Sequence, residues 1–242
     1  MVQSRNGQRP AACLVCGGHN MARSHLFPRA AMHKIRRDAK RLIGIQRGSS
    51  RLGFSQSGEV STRILCHLHE KHTQVPDDAI MRLLRSFETR AELVHQGEAW
   101  QVANPRGALV GLFIHATVWR HWAAWQEDGR GPEFSEQTFV RLKEIVFGGA
   151  PQLPTALMHA GRTIAGEPAL MAVTPTEVVL AGRNVVRFEI GGFAFFLWTD
   201  GPCPPLWTGL QATADPLIVG KLSSGEVAHD QAFTDLMRPL PP

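Results

Sequence analysis

An α+β fold is predicted by three patterns in this 242-residue chain. Two pairs of metal-ligating side chains sit in a basic, turn-rich opening stretch. Apolar residues then recur at helical spacing, and short alternating apolar and polar runs fill the end. The stretches divide at residues 1–75, 76–150 and 151–242. With 43% hydrophobic residues, a chain of this length can bury a sizeable core, so disorder is not expected.

The opening stretch contains "CLVCGGHNMARSHLFPRA" from Cys13 and "RILCHLHEKH" from Arg63. Cys13 and Cys16 have the spacing at which one tight turn presents two thiolates to an ion. Cys66 and His69 offer the same reach where a strand runs into a helix. Together they make a tetrahedral Cys3His set for structural zinc, with His67 and His72 as substitutes at the fourth place. A redox role for the Cys-x-x-Cys pair lacks the surrounding βαβ pattern. The chain has four cysteines, Cys203 standing alone in a loop, which is no disulfide framework. Helical character is expected at 29–40 and strand character at 60–65, with Gly44, Gly48, Gly53 and Gly58 marking turns between them. Zinc would explain how so small and polar a stretch folds, since ligand binding supplies folding free energy.

In the middle stretch a helix is expected to begin after Pro76, with Asp77 and Asp78 in its first turn. Ile80, Leu83, Leu84, Phe87, Ala91 and Val94 form its apolar stripe, which ends near Gly97. A second helix, 107–126, is apolar on most faces and therefore buried. Its Arg120 is expected to pair with a glutamate. A third helix follows from Ser135, a suitable cap, to Phe147. Beyond it, "AVTPTEVVLAGRNVVRFEIGGFAFFLWTD" breaks at Gly182–Asn184 and at Gly191–Gly192, the signature of an antiparallel meander that packs on the helices.

Charge is uneven. Residues 1–75 hold 13 Lys or Arg against 3 Asp or Glu, and the remainder 13 against 18, so the excess belongs to the stretch with the cysteines. Such a field attracts polyanions, phosphate backbones above all. Arg29, Lys34, Arg36, Arg37, Lys40 and Arg41 would line a helix after Pro28, and Arg51 and Arg63 extend the track. These are candidate contacts to nucleic acid, DNA ahead of RNA; they position a backbone without reading bases. No phosphate-cradling loop or dinucleotide fingerprint is present. No apolar run has signal-peptide or membrane-spanning length, and a cytoplasmic protein without membrane contact is expected.

"SHLFPRA" at Ser24–Ala30 and "ILCHLHE" at Ile64–Glu70 resemble the zinc-knuckle HNH endonucleases, and within them a bacterial subgroup that begins Ser-His-Ile-Ile-Pro. The resemblance covers residues 12–73, with a fainter echo in "LFIHATVWRHW". It implies a zinc-stapled ββα-metal module and metal-dependent phosphodiester hydrolysis in a phage-defence or mobile-element setting, with another protein subunit as a possible partner. It also implies His25 as general base, with Glu70 and Ser24 in the places that hold catalytic magnesium or manganese. Ser24 stands where an aspartate or glutamate is usual, and no asparagine lies between Ala30 and Glu70. The alternative is a non-catalytic zinc module that grips nucleic acid, or a protein-interaction subunit.

Overall fold

The computed structural model describes residues 12–39, 43–45, 53–54, 61–94, 99–127, 135–164, 167–170, 172–180 and 182–222; Lys40, Arg41 and Arg51 lie outside these. The chain opens with β1 (Ser24–His25), α1 (Arg29–Ala39), β2 (Ile43–Ile45), β3 (Gly53–Phe54) and β4 (Ser61–Thr62). Next come α2 (His67–Arg90), β5 (Glu92–Val94), β6 (Ala99–Val102), α3 (Gly107–Glu127) and α4 (Glu136–Gly148). The remainder is β7 (Thr155–Ala160), β8 (Arg162–Ile164), β9 (Glu167–Ala169), β10 (Ala172–Leu180), β11 (Arg183–Ile190), β12 (Phe193–Trp198), a 3-10 turn (Pro205–Leu210) and β13 (Leu217–Leu222). Among the described residues no helix is long and apolar enough to cross a membrane.

The expected meander is present. β10, β11 and β12 pair antiparallel, and the turn between the last two uses Gly191 and Gly192 at φ +58° and +85°, where a side chain would be strained. They form the centre of a nine-stranded sheet ordered β3-β2-β10-β11-β12-β7-β13-β6-β5. Among the described strands only β2–β10 and β7–β13 are parallel pairs in it. All three stretches of sequence contribute: β2 joins one side of the meander, and β5 and β6 build the far edge.

One sheet face lies under the helices. Phe188 and Phe195 stack at 4.7 Å, Phe113 of α3 meets Phe195 edge-on at 5.5 Å, and Ile80, Leu83 and Leu84 of α2 join the same cluster. The other face is capped by the 3-10 turn, whose Trp207 packs against Phe196 and Trp198. α3 is buried almost all round, as its composition requires. α4 is capped by Ser135, whose Oγ accepts from Thr138 N–H, and closes at Gly149 with φ +73°.

α2 departs from expectation. It begins at His67 and carries Pro76 inside, where proline removes one backbone bond and costs about 3 kcal/mol. Tertiary contacts outweigh that local penalty: Pro76 is buried, and the helix packs along α3. At the other end it stops at Arg90, because Leu93 and Val94 pair with β6 instead of continuing the stripe.

Arg120 is fully buried, and its partner is an aspartate rather than the expected glutamate. Its guanidinium donates from both Nη atoms to Asp77, at 2.8 and 2.9 Å. Burial opposes the charge, but Asp77, and after it Glu70, hold the group more firmly protonated than usual. Asp77→Ala would leave a buried cation alone and is expected to cost about 3–5 kcal/mol in urea unfolding. Replacing both partners by apolar residues, Asp77→Leu with Arg120→Met, should cost far less.

His115, also on α3, is locked in its neutral form. Its Nδ1–H donates to the Gly111 carbonyl at 2.8 Å, and the Leu153 N–H donates to its Nε2 at 3.0 Å. Burial pushes its pKa from the ordinary 6.5 down to about 4, and His121, similarly placed, down to about 3. Between those values and 6.5 the unfolded chain binds protons that the folded chain refuses. Stability should therefore be full above about pH 6.5 and fall as pH drops towards 4. Urea titrations across that window should show His115→Gln starting less stable yet declining more gently than the parent. Parallel decline would remove His115 as a cause.

Candidate metal centre

The knuckle is a short turn that its own backbone closes. Gly17 N–H donates to the Cys13 carbonyl and Cys13 N–H to the Gly18 carbonyl, both at 2.8 Å, with Gly17 at φ +72°. Only glycine takes that conformation without strain. The turn is then stitched to the chain entering α2: Leu14 N–H donates to Ile64, Ala22 N–H to Leu65 and His67 N–H to Asn20, at 2.9–3.0 Å. Met21 and Cys66 form an isolated bridge in the same register, and β1 pairs with β4 just beyond it. Cys66 is the N-cap of α2, so His69 lies within the first turn and its side chain returns towards the cap.

These constraints gather four donors. Cys13 Sγ, Cys16 Sγ, Cys66 Sγ and one His69 ring nitrogen all lie within 4.8 Å of one another. Cys16 and Cys66 Sγ are 3.9 Å apart, and His69 Nδ1 is 3.5 Å from Cys13 Sγ and 3.2 Å from Cys66 Sγ. Zinc bonds of about 2.3 Å to sulfur and about 2.0 Å to nitrogen give tetrahedral edges of roughly 3.8 Å and 3.5 Å. The donor types and spacings therefore suit structural zinc. All the cysteines are free thiols.

The fourth place belongs to His69. His67 is exposed, and His72 points elsewhere, its Nε2–H donating to the Val146 carbonyl at 2.9 Å. Burial, then the charges of His72 and Lys143, hold the His69 imidazole below its ordinary pKa, which favours the neutral form a metal needs. Burial pushes the Cys13 thiol up, but backbone donors at Cys16, Cys66 and Val15 outweigh it and leave the thiol lower than usual.

α4 walls this centre, a role not expected from the sequence. Phe147 meets the His69 ring edge-on at 5.4 Å, and Lys143 Nζ donates to the Leu14 carbonyl at 2.8 Å. No local pattern marks residues that act so far along the chain. The role of Arg120 carried a signal, since a lone arginine on an apolar helix requires a buried partner.

The other candidates fall in different settings. Ser24 is wholly buried, with its hydroxyl unpartnered among the described residues. His25 is half-buried on β1, opposite Ser61. Glu70 stands in the first turn of α2, its Oε2 buried without a hydrogen-bond partner among the described residues. Beyond the four donors, no group of three or more His, Cys, Asp or Glu among the described residues is placed to hold an ion. Arg29 and Lys34 lie on α1; Arg29 reaches His33, and Lys34 is paired with Glu88 of α2. Arg36 and Arg37 are on the same helix with side chains outside the described set, and Arg63 is exposed just before α2. A groove of about 500 Å³ along the second half of α2 brings Arg82, Arg90 and Arg106 together, cations that the sequence did not single out.

No protein-family model, curated protein or solved structure matches the chain. The metal centre itself is open to a direct check. Protein purified without chelators is expected to carry about one zinc per chain by elemental analysis, and Cys66→Ser should lose it. A disulfide between Cys13 and Cys16 would overturn the assignment.

Proposed function

We propose that this chain is a zinc-stapled, HNH-like endonuclease that hydrolyses phosphodiester bonds in nucleic acid. The observation that carries the reading is the joining of the knuckle to the α2 N-cap, which sets the β1–β4 pair and the first turn of α2 around one four-donor centre. The β1–β4 pair and the helix that follows β4 resemble the parts of a ββα-metal module, with α1, β2 and β3 lying between the two strands in the chain; His25 is on β1 and Glu70 in the first turn of α2. Arg29 and Arg63, both exposed, and the groove along α2, where Arg82, Arg90 and Arg106 outnumber Glu92 and Asp215, offer cations to a phosphate backbone.

Zinc held by Cys13, Cys16, Cys66 and His69 would be structural, with its coordination filled by protein. A catalytic magnesium or manganese would draw on Glu70, whose buried Oε2 lacks a partner, and would supply charge neutralisation at the phosphate oxygens. His25 is the group suited to take the proton from attacking water at a ring nitrogen, being half-buried and on the strand that leads to the basic helix. Ser24 suits the ligand place less well, because its hydroxyl is enclosed and uncharged.

That enclosure favours a second reading, a module that holds the same nucleic acid without cutting it. The two are separated by plasmid incubation with Mg2+ or Mn2+. Nicking that His25→Ala reduces by about 100-fold or more, with the fold and zinc content intact, supports hydrolysis. Salt-sensitive binding without cleavage would establish the binding module instead.

A further inference from the structure

The knuckle is fixed from two sides. One side is the backbone stitching to residues 64–67. The other is Lys143 of α4, whose ammonium donates at 2.8 Å to the carbonyl of Leu14, the residue directly after Cys13. The two groups are 129 positions apart in sequence. No carboxylate among the described residues pairs with Lys143: its neighbour Glu144 faces Arg141 instead, at 3.7 Å. Lys143 is only partly exposed, so its charge is less screened by water than that of a surface lysine. The same stretch of α4 also grips α2, with Val146 accepting from His72 and Phe147 lying against both His69 and His72.

Three thiolates around a divalent cation leave one net negative charge in a site where Cys13 and Cys66 are almost fully buried. An unbalanced charge there is costly, and one cation held beside it removes the imbalance. We propose that Lys143 is a positioning residue of the metal centre, pinning the Cys13 turn through Leu14 while its ammonium balances the thiolate-rich shell. Metal retention then depends on α4 as well as on the four ligands, and the opening stretch is completed by a helix from outside it. This rests on the structural-zinc reading given above. Groups that orient a ligand shell typically change metal affinity by about 10- to 100-fold when removed.

The test uses the full-length protein loaded with one equivalent of zinc and challenged with a chromogenic chelator, with the cobalt-substituted protein examined by absorption for ligand geometry. Lys143→Met is expected to weaken zinc retention by about 10-fold or more, and Lys143→Arg to recover most of it by keeping charge and donor. Lys143→Gln, which keeps a donor without charge, should fall between them and serves if the methionine variant folds poorly. Arg141→Met, on the same helix but facing Glu144, should leave retention unchanged. Parent-like retention in folded Lys143→Met or Lys143→Gln would overturn the role of Lys143 while leaving the zinc reading intact. Parent protein that takes up no zinc with its thiols reduced would overturn both.

Discussion

The structure depends on closing one loop. Fifty residues separate Cys16 from Cys66, and the chain must bring their sulfur atoms within 3.9 Å. Fixing two points that far apart costs about 4 kcal/mol of chain entropy, and among the described residues between them the return comes from the short β1–β4, β2–β3 and β2–β10 pairings, one helix and the buried side chains of Phe27, Met32, Ile35, Ile64 and Leu65. Local hydrogen bonds of about 1 kcal/mol net each do not make a secure closure there. A zinc ion in a four-donor set of this type releases on the order of 10–16 kcal/mol, enough to outweigh the closure several times over. Metal binding would therefore add to what Ile35, Ile64 and Leu65 contribute by burial in the main core.

From that closure the rest of the architecture is oriented. α2 begins at the centre and runs for 24 residues into the main core, so the direction imposed by Cys66 and His69 is carried across the molecule. Pro76 would break an isolated helix of this composition. Here the helix is held on both sides of the proline, by the metal ligands before it and by the Asp77–Arg120 fork immediately after it. α3 takes the other end of that fork, and the rings of its His115 and His121 are bonded to carbonyls one turn back. α4 returns the connection to the knuckle through Lys143, His72 and Phe147. The metal centre, α2, α3 and α4 therefore form a closed circuit of contacts, rather than a small module tethered to a body.

What could be read in the sequence was whatever is encoded locally. The meander follows from period-two alternation and paired glycines, α4 from a serine cap followed by an amphipathic stripe, and the ligands from two short spacings. Each is decided within about ten neighbouring residues, and each was found. Features that arise only when distant segments meet were not. Pro76 carries a strong local stop signal that packing and the Asp77–Arg120 fork override. Leu93 and Val94 continue the helical stripe of α2 in spacing, yet they pair with β6, because an open sheet edge offers backbone partners that a fraying helix end does not. Lys34 reads as one of several phosphate-facing cations until folding places Glu88 beside it. Arg120 announced a buried acidic partner, expected to be a glutamate, but folding supplies Asp77.

Charge balance gives the clearest physical ground for chemistry beside the knuckle. With zinc bound, the thiolate shell and Lys143 together come to neutrality. Arg120, however, faces two carboxylates, the hydrogen-bonded Asp77 and the more distant Glu70, and can neutralise only one. Glu70, the residue that follows His69, has one oxygen buried without a hydrogen-bond partner among the described residues. Buried carboxylate oxygens do not stay unsatisfied without cost, so this position calls for water or for a cation. Of the basic residues on α1, Arg29 is exposed, whereas Lys34 is paired with Glu88. On the proposed reading, a divalent ion drawing on Glu70 would neutralise the oxygens of a bound phosphodiester.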